Sequence, residues 1–176
     1  MKKSTFLTTI ALTLGLLFSI NTNAQKFAGV DKSPLDITYY KAERTAPPMI
    51  KVIYSRPQLN GRELNKLAPN GKMWRTGANE ATEIKFFQDM NFGGKPVKAG
   101  TYSLFTIPGE TEWTVILNSE LDVWGNFSYK EANDVVRVNV PVSSGDSIDD
   151  FSIVFENDHM HIGWGTLRIA VPVSKK

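Results

Sequence analysis

The residues best suited to hold a polar ligand lie close together between positions 72 and 82. Trp74 offers an aromatic surface for stacking, and Arg75 offers a planar set of hydrogen-bond donors. Asn79 can donate and accept hydrogen bonds, and Glu80 supplies a carboxylate. Side chains of these types bind sugars and carboxylated molecules in concave sites. A structural role competes with this interpretation, because Trp74 could belong to the core and Arg75 could pair with Glu80 across a turn.

A second aromatic group follows Asp122. Trp124, Phe127 and Tyr129 fall in a segment without strand periodicity, where aromatic side chains can stack on sugars or line a cleft. We therefore predict Trp124 and Tyr129 as further ligand-binding residues. The alternative is that these rings fold back and cover one open end of the fold.

The two histidines of the chain are His159 and His161. A two-residue turn at Asn157 and Asp158 would place Glu156 opposite His159, with both imidazoles on one side of the strand. Two imidazoles and a carboxylate could form a metal site. Because no third histidine or following acidic residue completes the set, a solvent-facing hairpin tip is favoured, and no metal or other cofactor is expected.

Catalytic signatures are weak. The chain has no cysteine and no Gly-x-Ser-x-Gly elbow, which argues against thiol chemistry and against a typical serine hydrolase. Paired carboxylates could still hydrolyse a glycan, since their separation depends on the fold. The residues to test are Glu80, Glu110, Glu112 and Asp122. An enzyme is the less favoured hypothesis, because acidic residues at turns are usually only solvated.

These side chains must be positioned by strands, because the apolar pattern has a period of two nearly everywhere. The predicted strands cover residues 50–55, 83–87, 102–106, 113–117, 136–140, 151–155, 160–164 and 167–171. Turns are predicted at residues 93–94, as a type II turn at 107–110, and at 157–158, with short helical turns at 63–70 and 129–133. The pattern predicts an all-β protein with a single antiparallel β-sandwich domain and little helix. A partly closed β-barrel is the alternative.

The N-terminal residues have the pattern of a secretory signal peptide. Lys2 and Lys3 precede an apolar run at residues 6–20, and Thr22 and Ala24 fit a cleavage site before Gln25. We therefore predict a cleaved signal at 1–24, a flexible leader at 25–34 and one domain at 35–174. Because the chain ends soon after its last strand, we expect a periplasmic rather than an extracellular location.

The charge balance excludes several partner classes. Two of the 20 basic residues lie in the signal segment, so the rest of the chain has as many basic as acidic residues, 18 of each. The chain lacks the excess of basic residues that nucleic-acid binding requires, and attraction to an anionic membrane is not expected. No second apolar stretch is long enough to span a bilayer, so no membrane insertion is predicted after signal cleavage.

Four motifs resemble a family of exported bacterial proteins that is catalogued as a domain of unknown function. They are the YSRP sequence at 54–57, WRTGANEAT at 74–82, AGTYSLFTIPG at 99–109 and EWTV at 112–115. The resemblance covers almost all of the chain after the signal and implies a bacterial envelope protein. It implies no activity, substrate or catalytic residue.

Three functions are expected from these observations. The first is a non-catalytic binding or accessory domain for a glycan or small polar ligand. The second is a carboxylate-based hydrolase of envelope glycans, and the third is a protein-interaction domain whose partner is unknown.

Overall fold

The computed structural model describes residues 25–176, and the predicted signal peptide lies outside the described residues. One compact unit extends from Asp31 to Lys176. Residues 25–30 fall outside that unit and contain neither helix nor strand. In the described part of the chain, no helix has the length and apolar character required to cross a bilayer.

The described residues form ten strands arranged in two antiparallel sheets. The strands are β1 (Leu35–Tyr40), β2 (Ile50–Ser55), β3 (Thr82–Phe86), β4 (Met90–Phe92), β5 (Lys95–Val97), β6 (Gly100–Ile107), β7 (Glu112–Asn118), β8 (Asp134–Pro141), β9 (Ser143–Glu156) and β10 (His159–Lys175). The six-stranded sheet has the order β1-β2-β3-β6-β7-β8, and the four-stranded sheet has the order β5-β4-β10-β9. The short helix α1 (Leu64–Leu67) and a 3-10 turn (Glu131–Asn133) occupy two connections.

The core lies between the two sheets, because alternate side chains of each strand point inward. Val52, Ile84 and Leu104 from the larger sheet are fully buried, and so are Phe151 and Met160 from the smaller sheet. Neither sheet closes on itself within residues 25–176, and each ends in two edge strands. The predicted all-β sandwich is therefore confirmed, and the barrel alternative is not.

Strand β1 was not among the predicted strands, and its apolar side chains lie on the exposed face. Leu35, Ile37 and Tyr39 are the exposed residues of this edge strand, whereas Asp36 faces the other side of the sheet. Asp36 accepts a hydrogen bond from Arg56 at 3.1 Å. The guanidinium of Arg56 also donates to the Phe151 carbonyl at 3.1 Å, so it links β1 to β9 of the other sheet.

Two of the three predicted turns have the expected geometry. Gly93 and Gly94 join β4 to β5 with φ of 58° and 77°, and Asn157 and Asp158 join β9 to β10 with φ of 48° and 57°. Positive φ at both central residues defines a type I′ hairpin turn.

The type II turn predicted at residues 107–110 is wrong. Such a turn requires a positive φ at Gly109, and Gly109 is not among the residues with positive φ. A Cβ at Gly109 would instead overlap the carbonyl oxygen of Glu112. Close approach of the backbone therefore explains this glycine, rather than a left-handed conformation.

A second, smaller core lies on the outer face of the six-stranded sheet. Phe105 and Ile116 are register partners in β6 and β7, point away from the sandwich interior, and are nonetheless fully buried. Val123, Ala81 and Tyr129 pack against them. The segments 73–81 and 121–129 therefore cover this outer face, rather than an open end of the sandwich as the sequence analysis considered.

Candidate functional site

The two covering segments, residues 73–81 and 121–129, are joined to each other by backbone hydrogen bonds. The amide of Ala81 donates to the Val123 carbonyl at 3.0 Å, and the amide of Gly125 donates to the Asn79 carbonyl at 3.0 Å. Glu80 and Trp124 are bridge partners between these two bonds. The sequence motif that carries Asn79 and Glu80 is thereby placed beside the aromatic segment that carries Trp124.

The first of these segments turns sharply at Thr76, which is fully buried with a φ of 56°. A positive φ is a strained conformation for a β-branched residue. The Thr76 hydroxyl donates to Thr106 Oγ1 at 3.1 Å, and its carbonyl accepts a hydrogen bond from the Thr82 hydroxyl at 2.7 Å. These buried contacts hold the turn from which Asn79 and Glu80 extend.

Trp74 is a core residue. Its indole is 6% exposed and stacks on Trp164, with the ring centroids 5.5 Å apart. The indole N–H donates to the Gly77 carbonyl at 3.1 Å, which fixes the ring to its own turn. Trp74 therefore does not present the stacking surface that the sequence analysis assigned to it.

Arg75 lies beneath the second covering segment. One terminal nitrogen of its guanidinium lies 3.9 Å from the position that a Cβ of Gly125 would occupy. Its Nε is buried without a hydrogen-bond partner, and burial lowers the pKa of Arg75. The pairing with Glu80 that the sequence analysis considered is not among the ion pairs of the described chain.

Two adjoining hollows on the outer face of the six-stranded sheet form the outer-face cleft. The more enclosed hollow has a volume of about 260 Å³, and the more open one about 350 Å³. Leu35, Ser55 and Glu80 line both hollows, so the two are continuous. The enclosed hollow adds Ile53, Glu83, Ser103, Asp122 and Val123, and the open hollow adds Asp31, Ser33, Asn79 and Trp124.

The cleft collects some of the predicted site residues and leaves others out. Asn79, Glu80 and Trp124 line it together, and Asn79 Nδ2 donates to Asp31 Oδ1 at 3.2 Å. Trp124 is 60% exposed, so its indole is available for stacking. Of the four carboxylates considered for hydrolysis, Glu80 and Asp122 line the enclosed hollow, whereas Glu110 and Glu112 lie at the opposite end of β7.

Tyr129 belongs to a separate polar network. Its hydroxyl donates to Asp134 at 2.8 Å and accepts a hydrogen bond from Arg137 at 2.9 Å, while its ring packs on Phe105 with centroids 5.2 Å apart. Tyr129 does not line either hollow. Its observed contacts therefore support the covering segment rather than the cleft.

Alkaline unfolding provides a test of this network. Burial, followed by the hydrogen bond to Asp134 and the Asp134 charge, raises the pKa of Tyr129 from 10.0 to about 12. The folded state thus holds the phenolic proton more tightly, and this stabilisation is fully present below about pH 10 and is lost as pH rises through about 12. We expect Tyr129→Phe to lose less stability than the unchanged protein between about pH 10 and about pH 12.

Urea unfolding at a series of alkaline pH values measures this difference. Part of the alkaline loss remains in the variant, because burial and Asp158 also raise the pKa of Tyr40 to about 12. Tyr39→Phe is the control, since Tyr39 is an exposed residue of β1. Parallel losses of stability in Tyr129→Phe and the unchanged protein would contradict the prediction.

The His159 and His161 hairpin has the predicted register but not the ligand geometry of a metal site. Glu156 is the register partner of His159, and the two imidazole centroids are 5.8 Å apart. His159 Nδ1 lies 2.7 Å from the Asn157 carbonyl, and His161 Nε2 lies 3.2 Å from the Glu156 carbonyl. Residues 25–176 contain no group of three potential ligands arranged to hold a metal ion, which corrects the alternative that used Glu156 with both histidines.

The site residues predicted from the sequence do not include Ser55, Glu83 and Ser103, which line the cleft from β2, β3 and β6. Each points to the outer face of its strand, and Glu83 is the register partner of Ser103. Their alternation with buried residues was visible in the sequence. Their proximity was not, because it depends on the strand order β2-β3-β6.

Comparison with known proteins identifies the family. The profile of a family described as "Protein of unknown function (DUF2911)" matches residues 33–173. No curated protein and no solved structure matches the chain. The matched segment contains all ten strands of the sandwich apart from the last two residues of β10. The chain therefore belongs to the DUF2911 family of proteins of unknown function.

Proposed function

We propose that this protein is a non-catalytic periplasmic binding or accessory domain that holds a glycan or small polar ligand in the outer-face cleft. The observation that carries the proposal is the convergence of Asn79, Glu80 and Trp124 on one open hollow. Carboxylate and amide groups can accept hydrogen bonds from hydroxyl groups, and the exposed indole can stack on a sugar ring. The periplasmic location rests on the signal pattern of residues 1–24.

The size of the cleft favours a small ligand. Hollows of about 260 and 350 Å³ lie just below and just above the lower limit of about 300 Å³ for small-molecule sites. A single sugar ring, or the terminal unit of a longer glycan, fits this scale. The open hollow would allow the remainder of a glycan to extend into solvent.

Glu80→Gln is expected to weaken ligand binding about tenfold or more, because a hydrogen bond to a charged group contributes about 1.5–3 kcal/mol. The measurement is a titration of the purified protein with a panel of mono- and oligosaccharides, followed by amide chemical shifts. Shift changes should map to the cleft. Trp124→Ala should weaken binding as well, since it removes the stacking surface.

Glu110→Gln is the matched control, because Glu110 is exposed outside the cleft and lies in the β6–β7 connection. It removes the same charge and should leave the affinity unchanged. Equal losses in Glu80→Gln and Glu110→Gln, or shift changes scattered away from the cleft, would count against the proposal.

A carboxylate-based hydrolase is the second candidate, because Glu80 and Asp122 line the same enclosed hollow. Two carboxyl groups facing one sugar are the minimum requirement of most glycoside hydrolases. Turnover of an envelope glycan that disappears in both Glu80→Gln and Asp122→Asn would establish the enzyme. Binding without turnover would support the accessory domain. Interaction with another protein stays a prediction from the sequence.

A further inference from the structure

The outer-face cleft has an uncompensated acidic lining. Glu80, Glu83 and Asp122 line the enclosed hollow, and no lysine, arginine or histidine lines either hollow. The ion pairs within residues 25–176 involve none of these three carboxylates. An acidic cavity without a bound counter-charge attracts a cationic group.

The nearest basic residues on the same strands lie outside the cleft. Lys51 and Lys85 are register partners two positions along from Ile53 and Glu83 on the outer face. The ammonium of Lys85 lies over the ring of Phe87, 4.9 Å from its centroid. Neither lysine forms an ion pair with Glu83, so the acidic lining is left for another cation.

The side chain of Ser55, at the bottom of the cleft, points independently to a ligand. Ser55 is only 5% exposed, lines both hollows, and shares the outer face with its register partner Leu35. Within residues 25–176 its hydroxyl has no hydrogen-bond partner, whereas Ser103 donates to the Glu120 carbonyl at 2.6 Å. Because this largely buried side chain lines both hollows and makes no hydrogen bond of its own in the described part of the chain, the Ser55 hydroxyl is available for a group that enters the cleft.

The exposed indole of Trp124 completes the set. It lines the open hollow beside Glu80, and Trp124 as a whole is 60% exposed. Tryptophan is the aromatic residue that attracts cations most strongly. A carboxylate and an indole at one site favour an ammonium group over a neutral hydroxyl group.

We propose that the outer-face cleft selects ligands that carry a protonated amine, such as an amino sugar. The amine lies among the carboxylates of Glu80, Glu83 and Asp122, with the Ser55 hydroxyl as an additional partner. This inference rests on the proposed function, because it names the chemical class that the same cleft binds.

The test compares ligands that differ in one group, an ammonium in place of a hydroxyl. Glucosamine is titrated against glucose, and ethanolamine against ethylene glycol, at a pH where the amines are protonated and at low ionic strength. The amine of each pair is expected to bind roughly tenfold more tightly, and the preference should decrease as salt screens the charges. Amide shift changes report both the affinity and the location.

Variants of the lining assign the preference to the carboxylates. Glu83→Gln and Asp122→Asn should each reduce the amine preference, whereas Glu110→Gln should leave it unchanged. If the amine binds no more tightly than its neutral counterpart in both pairs, the inference is overturned. Neutral saccharides that still bind in the cleft would leave the proposed function intact, while absence of binding by every saccharide and every amine would overturn both.

Discussion

Trp74→Ala is expected to lower the free energy of unfolding by about 3–5 kcal/mol, the cost of removing a fully packed large aromatic side chain. Trp74 contacts Trp164, Trp113 and Phe151, with ring centroids 5.5, 6.0 and 5.1 Å apart. It joins residues from both sheets and also anchors the turn at Gly77. The melting temperature should fall by roughly 10 °C, given about 2–4 °C per kcal/mol for a domain of this size.

Trp124→Ala is the matched control for this prediction. It removes the same side chain from a position that is 60% exposed, so its effect on stability should stay within about 0.5 kcal/mol. Urea unfolding followed by circular dichroism measures both variants. If Trp74→Ala were as stable as Trp124→Ala, the core position of Trp74 would be wrong. The same pair separates stability from binding, because only Trp124 lines the cleft.

Gly93→Ala is expected to destabilise the protein by about 2–5 kcal/mol, combining a left-handed backbone conformation with overpacking. Gly93 has a φ of 58°, and an added Cβ would lie 2.7 Å from both methyl carbons of Val138. Val138 belongs to β8 of the opposite sheet and is 7% exposed. The β4–β5 turn therefore approaches the other sheet so closely that only a glycine fits.

Gly94→Ala provides the control within the same turn. Gly94 has a φ of 77°, but an added Cβ would meet nothing within 4 Å, so only the conformational cost of about 1–2 kcal/mol applies. Urea unfolding of both variants and of the double variant Gly93→Ala with Val138→Ala measures the clash. If the clash causes the destabilisation, the double variant should lose less free energy of unfolding than the sum of the losses in the two single variants. Strict additivity would contradict it.

The β9–β10 hairpin shows how far local sequence patterns can be taken. The turn at Asn157 and Asp158 predicted that Glu156 lies opposite His159, and this pair is confirmed. The same register pairs Phe155 with Met160 and Ile153 with Ile162. Continued along both strands, this register would pair Phe151 with Trp164, but a register shift between Gly163 and Gly165 interrupts it. The two rings still contact each other, with centroids 5.7 Å apart.

Contacts between distant segments could not be predicted in the same way. The alternation in β6 correctly places Leu104 and Phe105 on opposite faces of the sheet. The burial of Phe105, however, depends on a covering segment that follows β7. Likewise, the apolar residues of β1 face solvent because this strand lies at the sheet edge. Such features arise from tertiary packing, which a single sequence does not specify.

The candidate site was predicted only in part, because it too depends on tertiary packing. Asn79 and Glu80 were recognised because their segment interrupts the strand pattern, and Trp124 because it lies in a loop rich in aromatic residues. Trp74 carries the same kind of side chain as Trp124, yet its burial follows from the Thr106 pairing of its backbone. Residue type alone does not separate a core tryptophan from a surface one.

The position of β1 affects how the protein should be tagged. Leu35 in β1, together with Asp31 and Ser33 just before it, forms part of the cleft wall. An affinity tag or fluorophore fused directly ahead of Asp31 would crowd the ligand entrance and could imitate a loss of affinity. The C-terminal strand β10 pairs through Lys175 with Met90 within the four-stranded sheet, which does not line the cleft, so a label after Lys176 would report on binding without obstructing it.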